Sequence, residues 1–177
     1  STQRISELVY FCPLTWPPAR RLYPPARHAD MVRAIYARMG APHEFAAPAH
    51  RPAVSEEPSR LNVLAHPQEG NATIEVIAAG TDLVQVVARQ ARDLAAQGVV
   101  HILLSLDMSD PATFGAAQEL EALGFIFSGA SPGRDGSDRL LLQRYSGPPI
   151  DFAAITLCSP AAQELLDYIR QQCQELA

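Results

Sequence analysis

His28 and Asp107 are the two side chains whose type and position suit them to chemistry. His28 opens a segment of helical periodicity after the extended Tyr23-Pro24-Pro25. An imidazole there can serve as a general base, or it can be a first-turn residue held by local hydrogen bonds. Asp107 ends the apolar run 99–106. The C-terminal end of a central strand is where open α/β sheets place ligands. Asp110 is followed by Pro111, and that pair is sufficiently explained as a helix start, carboxylate at the N-cap and proline in the first turn. His43, Glu44 and His50 share one segment, but no HxH, HExxH or Cys/His cluster is present, so no metal is expected. His101, inside the apolar run, reads as a satisfied core imidazole. Ser131-Pro132-Gly133-Arg134-Asp135-Gly136 is glycine-rich but joins two expected strands, so it lacks the helix N-terminus that cradles a phosphate. No G-x-S-x-G elbow occurs.

Composition narrows the classes further. The 14 basic residues are all Arg, so lysine Schiff-base chemistry and a P-loop lysine are excluded. Residues 1–60 carry 8 Arg against 5 carboxylates (+3), and residues 61–177 carry 6 Arg against 14 (−8). A main body this acidic disfavours nucleic acid, whose binding rests on neutralising phosphates. No apolar run approaches the ~18 residues of a membrane span, so no membrane partner is expected. Cys12, Cys158 and Cys173 form no CxxC pair, which fits packing roles in a reducing cytoplasm. No basic segment followed by a long apolar run opens the chain, so no secretory signal is expected. The opening Ser1 fits a processed start or a piece of a longer protein, the latter being expected.

The elements that must position these residues follow from periodicity and turn chemistry. Residues 5–11 read as a strand. The prolines at 13, 17, 18, 24 and 25 make an extended linker. Met31, Ile35 and Met39 mark a helix from His28, ended by Gly40 and Pro42. Residues 41–60 read as a surface loop. Strands at 61–65 and 72–79, with Pro67, Gly70 and Asn71 between them, predict a hairpin. A helix follows over 83–97, with Leu83, Val87, Ala91 and Leu94 as its buried stripe and Thr81 or Asp82 as its cap. The run 99–106 reads as a strand covered on both faces. A helix to Leu123, strands at 125–129 and 140–145, and a final helix after Ser159-Pro160 complete the order. Leu166, Ile169, Cys173 and Leu176 line one face of that last helix. The expected class is α/β, a mixed sheet with helices on both faces, right-handed crossovers and a C-terminal helix.

The order hairpin, helix, strand, helix, strand, strand, with the helix-ending Leu123-Gly124-Phe125, resembles the GCN5-related N-acetyltransferase superfamily. Nearly the whole chain is similar to the C-terminal part of a bacterial group with two acetyltransferase-like halves. The segments that carry this are Tyr23-Pro-Pro-Ala-Arg-His28, Ala34-Ile-Tyr36, Asp107-Met-Ser-Asp-Pro111, Leu123-Gly-Phe-Ile-Phe-Ser-Gly129 and Asp138-Arg-Leu-Leu-Leu-Gln143. The resemblance implies that residues 1–22 end a preceding half and that residues 23–177 form an acetyltransferase-like domain. It also implies acetyl-coenzyme A between two splayed parallel strands, near Ala78 and Leu106. The diphosphate would lie on backbone N–H groups of Ala79, Gly80, Thr81 and Leu83. The family's glycine-rich signature is missing there, however, and Asp82 would repel the ligand. Leu120 stands where the family often has the tyrosine that protonates the departing thiolate.

Three functional readings follow. The first is an acetyltransferase-like domain without its own catalysis, acting as a structural or regulatory half of a larger protein and binding no acetyl-coenzyme A in the usual mode. The second is an active N-acyltransferase, with acetyl-coenzyme A at residues 79–83 and His28 or Asp107 handling the proton of an amine. The third is a protein-interaction module, with a possible homo-oligomer built on the proline-rich start and the apolar stripe of the last helix.

Overall fold

The computed structural model of the chain describes residues 18–47, 55–132 and 137–175. The strand expected at 5–11, Cys12, His50 and most of the glycine-rich segment at 133–136 lie outside those residues.

A 3-10 turn at Ala26–His28 leads into helix α1 (Ala29–Met39). Gly40 ends it with φ 69°, a left-handed conformation that glycine adopts without steric cost. The stretch read as linker and loop contains two short strands. β1 (Arg21–Leu22) pairs in parallel with β2 (Glu44–Phe45), and the Tyr23 N–H donates to the Met108 carbonyl at 2.8 Å. The prolines keep this segment extended, as expected, and extension lets it dock as a strand.

The hairpin forms as read. β3 (Arg60–His66) and β4 (Asn71–Ala78) are antiparallel. Helix α2 (Leu83–Ala96) then crosses to β5 (His101–Asp107), which is parallel to β4. Helix α3 (Ala112–Glu121) leads to β6 (Ile126–Pro132). β7 (Asp138–Tyr145) inserts between β5 and β6, antiparallel to both. The five strands lie in the order β3-β4-β5-β7-β6. Helix α4 (Pro160–Glu175) closes the described chain. No helix among the described residues is long and apolar enough to cross a membrane.

Cross-strand pairing fixes which side chains share a face. Val63, Ile74, Leu104, Leu142 and Phe127 form one row across all five strands. All but Val63 are fully buried. This face carries the core, joined by Met31, Val32 and Tyr36 of α1, by Leu83, Val87, Ala91 and Leu94 of α2, and by Ala117 and Leu120 of α3. Each buried Val, Leu, Ile, Phe or Met among them contributes about 1.5–3 kcal/mol.

The opposite face runs through Leu64, Thr73, Leu103, Gln143 and Ile126. None of its apolar side chains is among those that join or pack against the described core. Helices on both faces were expected from the apolar run in β5. The described helices bury their stripes on one face only. Leu103 is half-buried there, flanked by β4 and β7.

Candidate functional site

The β4–β5 ladder runs from Asn71–His101 to Glu75–Ser105 and stops there, although β4 continues to Ala78 and β5 to Asp107. The two parallel strands therefore part at their C-terminal ends, the place read from the sequence as the splay near Ala78 and Leu106. β4 also carries an extra residue in this stretch, between the partners of Arg60 and Leu61, so that Ile77 turns outward and is 50% exposed.

Arg139 lies over the opening. It sits on β7 opposite Asp107. Its guanidinium reaches the Glu75 carboxylate at 2.9 Å and donates to the Val76 carbonyl at 3.4 Å. One side chain thus ties β7 to β4 across β5, where the backbone ladder has ended.

Gly80 and Thr81 lie between β4 and the start of α2, the segment that the resemblance assigns to a diphosphate. Their N–H groups are engaged within the chain. The Gly80 N–H donates to Ser59 Oγ at 2.8 Å. The Thr81 N–H donates to the Ser55 carbonyl at 3.1 Å, and the Leu83 N–H to the Gly80 carbonyl at 3.1 Å. The Ser59 N–H in turn donates to Asp82 Oδ1 at 2.8 Å. Residues 55–59 form a strap across the start of α2. The contact is close enough that a Cβ on Gly80 would lie 2.0 Å from the Glu57 carbonyl oxygen. Hydrogen bonds from Ser59 hold the Asp82 carboxyl below the usual carboxylate range. A helix N-terminus binds anions through unpaired donors; here the N–H groups of Gly80, Thr81 and Leu83 are occupied and a carboxylate stands among them. The residues do not fit a diphosphate.

Asp107 and Asp110 are both held locally. Asp107 Oδ1 accepts from the Ser109 N–H at 2.9 Å and from the Ser109 hydroxyl at 2.6 Å. Its carbonyl accepts from the Thr113 hydroxyl at 2.6 Å. Asp110 Oδ1 accepts from the Ala112 N–H at 2.8 Å, as its capping role requires. Leu120 is fully buried in the core.

His28 is fully buried and lies elsewhere, between α1, α3, α4 and β6. Its Nε2 is 2.8 Å from Glu121 Oε1, and its Nδ1 is 2.7 Å from the Tyr168 hydroxyl. The ring stacks on Phe127 with centroids 4.9 Å apart. The Tyr168 hydroxyl also donates to the Arg27 carbonyl at 3.1 Å. Burial pushes the Tyr168 phenol up. The His28 backbone N–H makes a local bond to the Pro25 carbonyl at 2.9 Å, but its side chain is held by distant partners and is not brought together with Asp107. Its partners are 93 and 140 residues away in sequence.

His43 belongs to a second polar cluster at the start of β7. Its Nδ1 accepts from the Arg20 N–H at 3.2 Å, which leaves its proton on Nε2, 3.3 Å from Asp138 Oδ1. The Tyr36 hydroxyl donates to the same oxygen at 2.8 Å. Burial first, and then Asp138, push the Tyr36 phenol far up. Glu44 pairs with Arg21 on the surface at 3.2 Å. No group of three or more metal-binding side chains converges among the described residues. His101 is only half-buried, and its Nε2 is 3.3 Å from Gln143 Oε1 on the open face of the sheet.

Sequence reasoning missed Arg139, Ser59, Glu121, Tyr168 and Asp138. Each acts through a partner at least 21 residues away, and no local spacing signals such a pair. No protein-family model matches this chain, and no curated protein matches it.

Proposed function

We propose that this chain is an acetyltransferase-like domain that has lost its own catalysis and serves as a structural or regulatory half of a larger cytoplasmic protein, beside a preceding half of the same kind. One observation carries the reading. The donors that would hold the diphosphate of acetyl-coenzyme A, at Gly80 and Thr81, are taken by the chain's own strap at residues 55–59. The parting of β4 and β5 after Glu75 and Ser105 supports the fold half of the proposal, as does the position of α2 directly behind β4. Arg139 across the opening and Leu120 in the core support the loss of catalysis.

The test is thermal unfolding with acetyl-coenzyme A. Ligand at 100 times its dissociation constant adds about 2.7 kcal/mol, which for a domain of this size is a rise in Tm of about 5–10 °C. The expected outcome at millimolar ligand is no rise. A rise of that size, or release of coenzyme A thiol with an amine substrate, supports the active N-acyltransferase instead.

A further inference from the structure

We propose that the open face of the sheet is a self-association surface, occupied by a second copy of this chain in a two-fold, face-to-face dimer. The face is set by register. Leu64, Thr73, Leu103, Gln143 and Ile126 make one continuous row across β3, β4, β5, β7 and β6. Leu141 adjoins Leu103 diagonally, opposite Ser105. The result is an apolar band at right angles to the strands, interrupted only by a threonine and a glutamine. Leu64, at one end of the band, is 59% exposed. None of its apolar side chains is among those packed against the described core, and α4 adjoins the band only at its Ile126 end.

The band divides the face into two unlike halves. On the side of the C-terminal ends of β4 and β5 stand Glu75, Asp107 and Arg139. On the other side stand His66, Asn71 and His101, again in one register row. A two-fold axis along the band sets Leu103 against Leu103 of the second copy and carries the carboxylate half of each copy over the histidine half of the other. Imidazole N–H groups of one copy then face carboxylate acceptors of the other. The face is therefore complementary to itself, as a two-fold interface must be.

The area suffices. Five strands at about 4.8 Å spacing and seven residues at about 3.3 Å rise give about 550 Å² per copy, hence about 1,100 Å² for the pair, above the roughly 1,000 Å² that separates specific interfaces from casual contacts. Two sheets packed this way lie about 10 Å apart with their side chains interdigitated.

The experiment is sedimentation velocity of the full chain over about 1–100 μM, a range that spans typical dimer affinities. The wild-type chain is expected to sediment as a dimer. Leu103→Arg sets two guanidinium groups against each other near the axis, and Leu64→Arg charges the exposed end of the band. Each should lower the association constant at least about 100-fold by like-charge juxtaposition and loss of apolar contact. Leu64 is exposed, so its replacement leaves the fold intact, which far-UV circular dichroism verifies. Glu119→Arg, at an exposed position on α3 and so on the helical side, should leave the dimer unchanged. A wild-type monomer at 100 μM overturns the proposal. So does a dimer that survives Leu64→Arg and Leu103→Arg together, or one that Glu119→Arg dissociates.

Discussion

Replacing His28 by alanine removes two hydrogen bonds and a stacked ring at once and leaves Glu121, 13% exposed, facing a void. Deleting a buried ring and leaving its hydrogen-bonding partners unpaired costs about 3–5 kcal/mol, so His28→Ala should lower unfolding stability by about 3 kcal/mol. Tyr168→Phe loses the hydroxyl's contacts with both His28 and the Arg27 carbonyl and should cost about 2 kcal/mol. Urea denaturation measures both, and a His28→Ala loss under 1 kcal/mol would contradict this account of the network. Asp82 yields a pH prediction. Its carboxyl lies below its ordinary value in the folded chain because Ser59 donates to it. The folded state therefore binds that proton less readily than the unfolded chain. The stability it confers is present above the ordinary carboxylate range, near pH 4, and is lost as pH falls through the lowered folded value. Asp82→Asn should flatten the decline of Tm with pH below about 4, measured by thermal scans from pH 5 to pH 2; an unchanged acid limb would rule the strap bond out as its source.

Among elements, α4 is the one with two candidate faces. Leu166, Ile169 and Cys173 share one stripe, with Leu176 outside the described residues. The described helix turns Ala162, Leu165, Tyr168 and Gln172 toward the body, with Ala162 3% and Gln172 4% exposed. Both stripes have three-four spacing, so periodicity alone does not choose between them. Polar partners choose. Tyr168 meets His28, and Gln172 Oε1 accepts from the Phe127 N–H of edge strand β6 at 2.9 Å. The helix thereby covers part of an edge strand. Gln172→Ala leaves that buried N–H without its acceptor, at a cost of about 1–3 kcal/mol. Hydrogen exchange should show faster exchange at Phe127 and in the last turns of α4, with β4 and β5 unaffected; uniform acceleration would instead mean that α4 unfolds only with the whole domain.

For the whole molecule, one core joins α1, α2, α3 and the shielded face of the sheet, and the dimer proposed for the other face would make Tm rise with protein concentration. The hairpin, the α2 and α3 crossovers and the order of elements were legible because alternation, three-four spacing, Gly40 and Asp110-Pro111 are local signals. Asp110, Leu83, Val87, Ala91 and Leu94 do what their spacing implied. The insertion of β7 between β5 and β6 is decided by pairing between distant segments, as is the coverage of β5 on one face only. The candidate site divides in the same way. The sequence by itself determined that the glycine-rich signature is missing and that a carboxylate, Asp82, heads α2, since both are matters of residue type at a position. Only the tertiary structure decided that residues 55–59 take up the N–H groups there, that Arg139 bridges the parted strands, and that His28 is buried against Glu121 and Tyr168. Hydrogen bonds and burial between residues far apart in the chain depend on where the backbone brings them, and no spacing along the sequence encodes that.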